Sequence, residues 1–352
     1  MTVVCFKFLR KVLAHVKSIV APLCTTEFRL LLLSTIFPVL LLTLLITGGV
    51  VEAAANLTGT FTEHSIPTSN SNPINITIGS DGARWFTEGV GNKIGRMTAT
   101  GVFKEFSIPT SNSSPDGIAA GPDGALWFTE SIGNKIGRVT TAGVFTEYPI
   151  PTASSRAGSI TKGPDGNLWF TETSTFQIGR ITPAGVITEF PVLSSYSAPD
   201  YITQGPDGAL WFTEQQGNNI GRISTAGVVT EFPVLTYHSL PTGITAGPGG
   251  SLWFTELAGN KIGRITTAGV VTEFSLPTAG SYPLEIVNGG NGTLVFTEYY
   301  GNNIGRITST GTVTEFPLPT PNAQPYGIVH QGTGTFWFTE NSANKIGEVK
   351  IA

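Results

Sequence analysis

A period of 42 residues governs this chain and leaves little freedom in how it can fold. The glutamates ending the tetrapeptide W-F-T-E and its variants are Glu88, Glu130, Glu172, Glu214, Glu256, Glu298 and Glu340, every interval being 42. A second series keeps the same interval through Glu63, Glu105, Glu147, Glu189, Glu231, Glu273 and Glu315. Seven such units fill residues 59–352, with no stretch left there for another domain.

Each period holds four short β-prone runs. In the unit from Thr242 to Pro283 they are G-I-T-A-G, S-L-W-F-T-E, K-I-G-R-I-T and V-V-T-E-F. Turn residues part them, as in Gly247-Pro248-Gly249-Gly250 and Ala258-Gly259-Asn260. Nothing in the unit carries an apolar face at helical spacing, and the β-branched and aromatic residues alternate. With 43 Gly, 23 Pro and 12% charged residues, coiled coils and helical bundles are excluded. Four strands in about 40–45 residues make a propeller blade. The expected fold is therefore all-β, a seven-bladed β-propeller of four-stranded blades. The repeats begin with a fourth-strand element, Gly59 to Ile66, and stop after a third-strand element, Lys345 to Ala352. The first segment is expected to close the last blade and to hide two strand edges.

Residues 1–55 differ in kind. Lys7, Arg10, Lys11, Lys17 and Arg29 precede an uncharged run over residues 30–51, the pattern of a signal peptide or signal anchor. Its 22 residues suffice to span a bilayer, whereas Ala53-Ala54-Ala55 fits a cleavage site before Asn56. Either outcome places residues 56–352 outside the cytoplasm, secreted or anchored, with the membrane met only through the amino-terminal segment. Cys5 and Cys24 both belong to this leader, so the exported part holds no disulfide. Without the leader's 5 basic and 2 acidic residues, 15 basic and 22 acidic residues remain, a net charge of −7 that argues against a nucleic-acid partner. Asn56, Asn75, Asn112 and Asn291 head N-x-S/T sequons. The propeller reads as a monomer.

A residue repeated in all seven units serves the scaffold, because a single site occupies one place on a ring. Trp85, Trp127, Trp169, Trp211, Trp253 and Trp337 share one slot, with Val295 in the seventh, and are expected to pack between blades. The glutamate after Phe-Thr and the arginine of G-R-I-T read as structural polar or ionic partners; in the last unit Glu348 replaces that arginine, where the circuit ends. Individuality lies in two loop types expected to open at one end of the central channel. One carries Ile74, Asp116, Gly158, Asp200, Thr242, Leu284 and Tyr326; the other begins with Gly89, Ser131, Thr173, Gln215, Leu257, Tyr299 and Asn341. Asp116, Asp200 and Glu285, with Tyr201, Tyr299, Tyr300 and Tyr326, are the candidate ligand-binding residues at that mouth, suited to a polar organic ligand or an oxygen-held cation. Among the histidines, His238 is the one placed to approach the mouth. No nucleophile elbow, phosphate loop, paired-cysteine motif or metalloprotease helix is present.

The unit G-P-D-G-x-L-W-F-T-E, then N-K-I-G-R-I-T, then G-V-V-T-E-F-P resembles the virginiamycin B lyase (streptogramin B lyase) family, as Gly121 to Glu130, Asn134 to Thr140 and Gly143 to Pro149 illustrate. The resemblance spans residues 59–352. It implies a seven-bladed propeller and a Mg²⁺-dependent carbon–oxygen lyase that opens cyclic depsipeptide antibiotics by elimination, with a histidine as base and carboxylates holding the metal. The family's catalytic histidine falls on Tyr326 and a second family histidine on Leu284; two family glutamates fall on Gln324 and Asn341. All four depart from the pattern. A tyrosine with a reference pKa near 10 is a poor base at neutral pH.

Three readings follow: an exported propeller binding a small-molecule or protein ligand at its channel mouth with the lyase chemistry lost; a Mg²⁺-dependent lyase with a relocated site using Asp116, Asp200, Glu285 or His238; and a structural or interaction protein of the cell envelope. Deleting residues 59–68 is expected to lower the melting temperature far more than a loop deletion of equal length; equal melting temperatures would refute closure of the ring by the first segment.

Overall fold

Tight turns between short β-branched runs close each unit into an antiparallel four-stranded sheet. In blade 5 the strands are Pro241–Gly247, Ser251–Glu256, Lys261–Thr266 and Val271–Ser275, paired in that order from the channel outward. Seven sheets of this kind form a closed ring, and among the described residues a single 3₁₀ turn at Pro248–Gly250 interrupts the β structure. The computed structural model describes residues 58–351. The run 30–51, the Ala53-Ala54-Ala55 stretch, both cysteines and Asn56 lie outside the described residues. Among the described residues no helix is long and apolar enough to cross a membrane.

Glycine in K-I-G-R is a packing requirement. Gly137 faces Phe128 across the ladder, and a β-carbon there would stand 2.0 Å from the phenyl ring. The ring thus occupies the space a side chain would take.

Blades adhere through the repeated tryptophan. Trp85, fully buried, packs with Ile118, Leu126, Phe128 and Val139 of the next blade. Burying such a side chain removes on the order of 150–250 Å² from water. The indole also needs an acceptor: Trp85 Nε1 donates to Asp81 at 3.0 Å, and Arg96 Nε donates to the other oxygen of that carboxylate at 2.7 Å. Blades 2 and 4 repeat this seat with Asp123 and Asp207. In blade 5 Gly249 takes the aspartate's place, and Trp253 Nε1 and Arg264 Nε are buried without partners.

Each outer-strand glutamate ties neighbouring blades. Glu147 accepts from the N–H and hydroxyl of Thr110, on the chain entering its blade, at 3.0 and 2.8 Å, and from Lys135 at 2.7 Å. Burial pushes its pKa up, but these bonds outweigh that and hold it below the ordinary value. The glutamate of W-F-T-E behaves differently from an ionic partner. All seven are fully buried, and at least one oxygen of each lacks a donor. Burial first, then the facing outer glutamate, pushes Glu88, Glu130, Glu298 and Glu340 up to about 7 and Glu172, Glu214 and Glu256 up to about 8. Protonation removes the buried charge and supplies the donor that each pair needs.

Closure follows the expected route. Strand Gly59–Ser65 pairs antiparallel with Lys345–Ile351, completing the blade of Pro325–His330 and Thr335–Glu340. Glu63 accepts from Thr320 and Lys345 as its counterparts do in other blades. Glu348 has a physical reason beyond marking the end of the circuit: the charges are exchanged across the seam. Arg84 of blade 1 lies 4.0 Å over the Trp337 ring; burial lowers its pKa and the field of Glu348 opposes that shift.

Two outcomes follow from these seats and pairs. Gly249 stands at φ +72°, where its aspartate counterparts do not, so any side chain there is strained. Gly249→Asp, which supplies the acceptor that Trp253 and Arg264 lack, is therefore expected to exceed Gly249→Ala, which bears the strain alone, by about 1 kcal/mol, roughly 2 °C in melting temperature. Equal melting temperatures of the two variants would refute the reading of blade 5 as an unfilled seat. The inner glutamates have folded pKa values above their unfolded value near 4.5, so their contribution is full below pH ~4.5 and lost as pH rises through about 7–8. The melting temperature is therefore expected to fall between pH ~5 and ~8.5, and Glu130→Gln to make that fall shallower.

Candidate functional site

The threonine of W-F-T-E positions the channel mouth. Every inner strand is irregular just after its first residue, a proline in all blades but the third, where Ala157 stands; blade 2 pairs Pro115 with Glu130 and next Ile118 with Phe128. The residues between them lose their ladder partners, and a threonine hydroxyl replaces what is lost. Thr129 Oγ1 accepts the Gly117 N–H at 3.0 Å and donates to the Gly158 carbonyl of the next blade at 2.6 Å. The same relay fixes Asp116 from Thr87, Asp200 from Thr171, Leu284 from Thr255, Tyr326 from Thr297 and Ile74 from Thr339, at 2.6–2.7 Å. A uniform backbone thus presents different side chains around the axis.

The expected carboxylates do gather there, on alternate blades 2, 4 and 6. Asp116, Asp200 and Glu285 are half-buried, open along the channel yet enclosed by protein on their other sides. Burial pushes Asp116 up to about 6; burial and the Asp116 charge push Asp200 up to about 7. Glu285 rises to about 8 through burial, although its Oε2 accepts the Ile328 N–H at 2.8 Å. Gly327 is required by the close approach of the next inner strand, since a β-carbon there would sit 2.5 Å from the Ile74 carbonyl oxygen and 2.9 Å from Asn75 Cα, and it would also crowd the Glu285 oxygen at 3.2 Å. The hydroxyls of Tyr201 and Tyr326 are pushed well above the ordinary phenol value by burial and by these carboxyls. Tyr299 meets Tyr326 edge-on at 6.1 Å, and Tyr300 and Tyr282 continue the aromatic row toward the rim.

His238 stays on the exposed rim beside Tyr237, away from this group. His64 stacks on Trp337 and His330 on Phe336. Arg156, exposed in the loop entering blade 3, joins the mouth without having been expected, and Gln215, placed in a mouth loop but not among the candidate ligand-binding residues, comes within 3.4 Å of Asp200. Both break the repeat at mouth-loop positions, which was the available signal.

Gln324, Tyr326 and Asn341 also meet at this end. Asn341 N–H donates to the Gln324 carbonyl at 3.1 Å. Leu284 is buried in the channel wall. A Mg²⁺ ion does not fit at Gln324 and Asn341, because both amide oxygens are neutral and already used: Gln324 Oε1 accepts from the Ser342 hydroxyl, and Asn341 Oδ1 from Asn72 at 2.9 Å. Among the described residues no three His, Cys, Asp or Glu side chains are grouped closely enough to hold a metal. The mouth can supply hydrogen-bond acceptors, carboxyl protons and aromatic faces.

No curated protein matches the chain. Among solved structures, it is similar to virginiamycin B lyase from Staphylococcus aureus, with 41% identity and a TM-score of 0.81 over 84% of this chain and 100% of that one. A catalytically inactive variant of that lyase with quinupristin matches at 40% identity and a TM-score of 0.81, over 84% of this chain and 100% of that one. Hydrazine synthase of Kuenenia stuttgartiensis, at 14% identity and a TM-score of 0.65 over 82% of this chain and 97% of that one, shares the fold alone. The virginiamycin B lyase family matches residues 42–234 and 193–352. With its repeat, its ring of blades and these matches in agreement, the chain belongs to the virginiamycin B lyase family.

Proposed function

We propose that this protein is an exported binding propeller that takes a ligand at its channel mouth and does not carry out the lyase reaction. The observation that carries the reading is the content of four positions. Where the family resemblance places its base, its second histidine and two glutamates, this chain has Tyr326, Leu284, Gln324 and Asn341. Tyr326 holds its proton far above neutral pH, so it cannot withdraw one from a substrate carbon. The amide oxygens of Gln324 and Asn341 are committed to Ser342 and Asn72. What the mouth retains is a concave, mixed polar and aromatic surface held by the threonine relay, the makings of a binding site.

Incubation of the purified full-length protein with quinupristin and Mg²⁺, followed by chromatographic separation of cyclic and ring-opened forms, is expected to show no turnover above buffer. Ring opening that Tyr326→Phe or Asp116→Asn abolishes would overturn the reading in favour of a relocated lyase site.

A further inference from the structure

The mouth has more acceptors than donors. Among the described residues no side chain donates to the Asp116 carboxyl, and Asp200 has only the Gln215 amide at 3.4 Å. Glu285 satisfies one oxygen with the Ile328 N–H and has the Asn75 amide beside it. Tyr201 adds an independent sign of an unfilled site. It is 8% exposed, its N–H is held by Thr213 at 3.0 Å, and its hydroxyl bonds to no described residue. That hydroxyl faces Glu285, Tyr326, Asp200 and Asp116. The ring is buried while the hydroxyl keeps access to the channel, a free donor that a bound molecule can use.

Positive charge is also lacking. The basic residues of the mouth loops are Arg156 and His238, both on the exposed rim, and neither pairs with the carboxyls. The basic groups of the inner strands, Lys162 and His330, lie at their opposite ends. The acids stand on alternate blades, and they are not grouped to chelate a metal ion. That spacing suits a cation carrying substituents, flanked by rings whose faces attract positive charge.

We propose that the mouth binds an organic ammonium ion, its charged nitrogen set among Asp116, Asp200 and Glu285 and its carbon substituents against the rings of Tyr201, Tyr299 and Tyr326. This rests on the binding reading above and names the ligand class. Each carboxyl is partly protonated near neutral pH and releases its proton to water when a cation binds, so binding strengthens with pH. The three tyrosines stay protonated throughout that interval, which leaves the carboxyls as the groups that respond.

The test is calorimetric titration of the full-length protein at low salt with tetramethylammonium, choline and putrescine. The neutral isostere 3,3-dimethylbutanol and acetate serve as comparisons. At least one cation is expected to bind tenfold or more tightly than the isostere and to tighten severalfold between pH 6 and pH 8.5. Asp116→Asn and Asp200→Asn, which remove buried charge at little change of shape, are expected to weaken it at least tenfold while the melting temperature holds or rises. Equal or tighter binding of the isostere, lost in Tyr326→Ala, would overturn the cation assignment and leave the mouth as the binding site. Cation binding indifferent to all three substitutions, or none by any probe, would overturn the assignment of this site.

Discussion

One hydroxyl per blade sets the working end of this molecule. The threonine of W-F-T-E accepts an N–H from its own inner strand and donates to a carbonyl of the next. Because the inner strands are irregular there, those groups would otherwise be buried without partners, at a cost of about 1–3 kcal/mol each. The relay spaces the inner strands around the channel and stitches each blade to its successor. The side chains at the mouth are then free to vary, since the backbone beneath them is fixed by residues that do not.

Adhesion between blades uses two further devices, and their exceptions are as informative as their regularity. The tryptophan seat shows its need for a carboxylate most clearly where Gly249 removes it, leaving Trp253 and Arg264 without an acceptor. At the closing seam the charges exchange places, Arg84 lying on Trp337 with Glu348 beside it. The inner glutamates are held neutral by burial first and by the outer glutamates they face second, so the ring is tuned to mildly acidic or neutral conditions.

Membership of the virginiamycin B lyase family fixes the frame but not the chemistry performed in it. The four positions at which the family resemblance places reactive and metal-binding groups carry neutral side chains here, two of them locked into amide and hydroxyl contacts. Acidity has instead collected on blades 2, 4 and 6, facing aromatic rings. Such a donor-poor, acid-lined mouth supports the proposed recognition of positive charge better than elimination of an ester.

The sequence by itself determined the ring. A 42-residue period with four strand runs admits one architecture, and the fourth-strand element at Gly59 already implied closure on Lys345. It also picked out Asp116, Asp200, Tyr201 and Glu285, because a residue that breaks a repeat stands out from its equivalents. Tertiary structure alone decided what surrounds them: that Glu285 reaches Ile328 one blade on, that Tyr201 keeps an unpartnered hydroxyl, that His238 remains on the rim, and that Gln215 borders Asp200. The physical reason is that repetition encodes interactions within and between adjacent blades, every copy having the same neighbours. Distances across the channel depend on closing the whole ring, and no local pattern contains them.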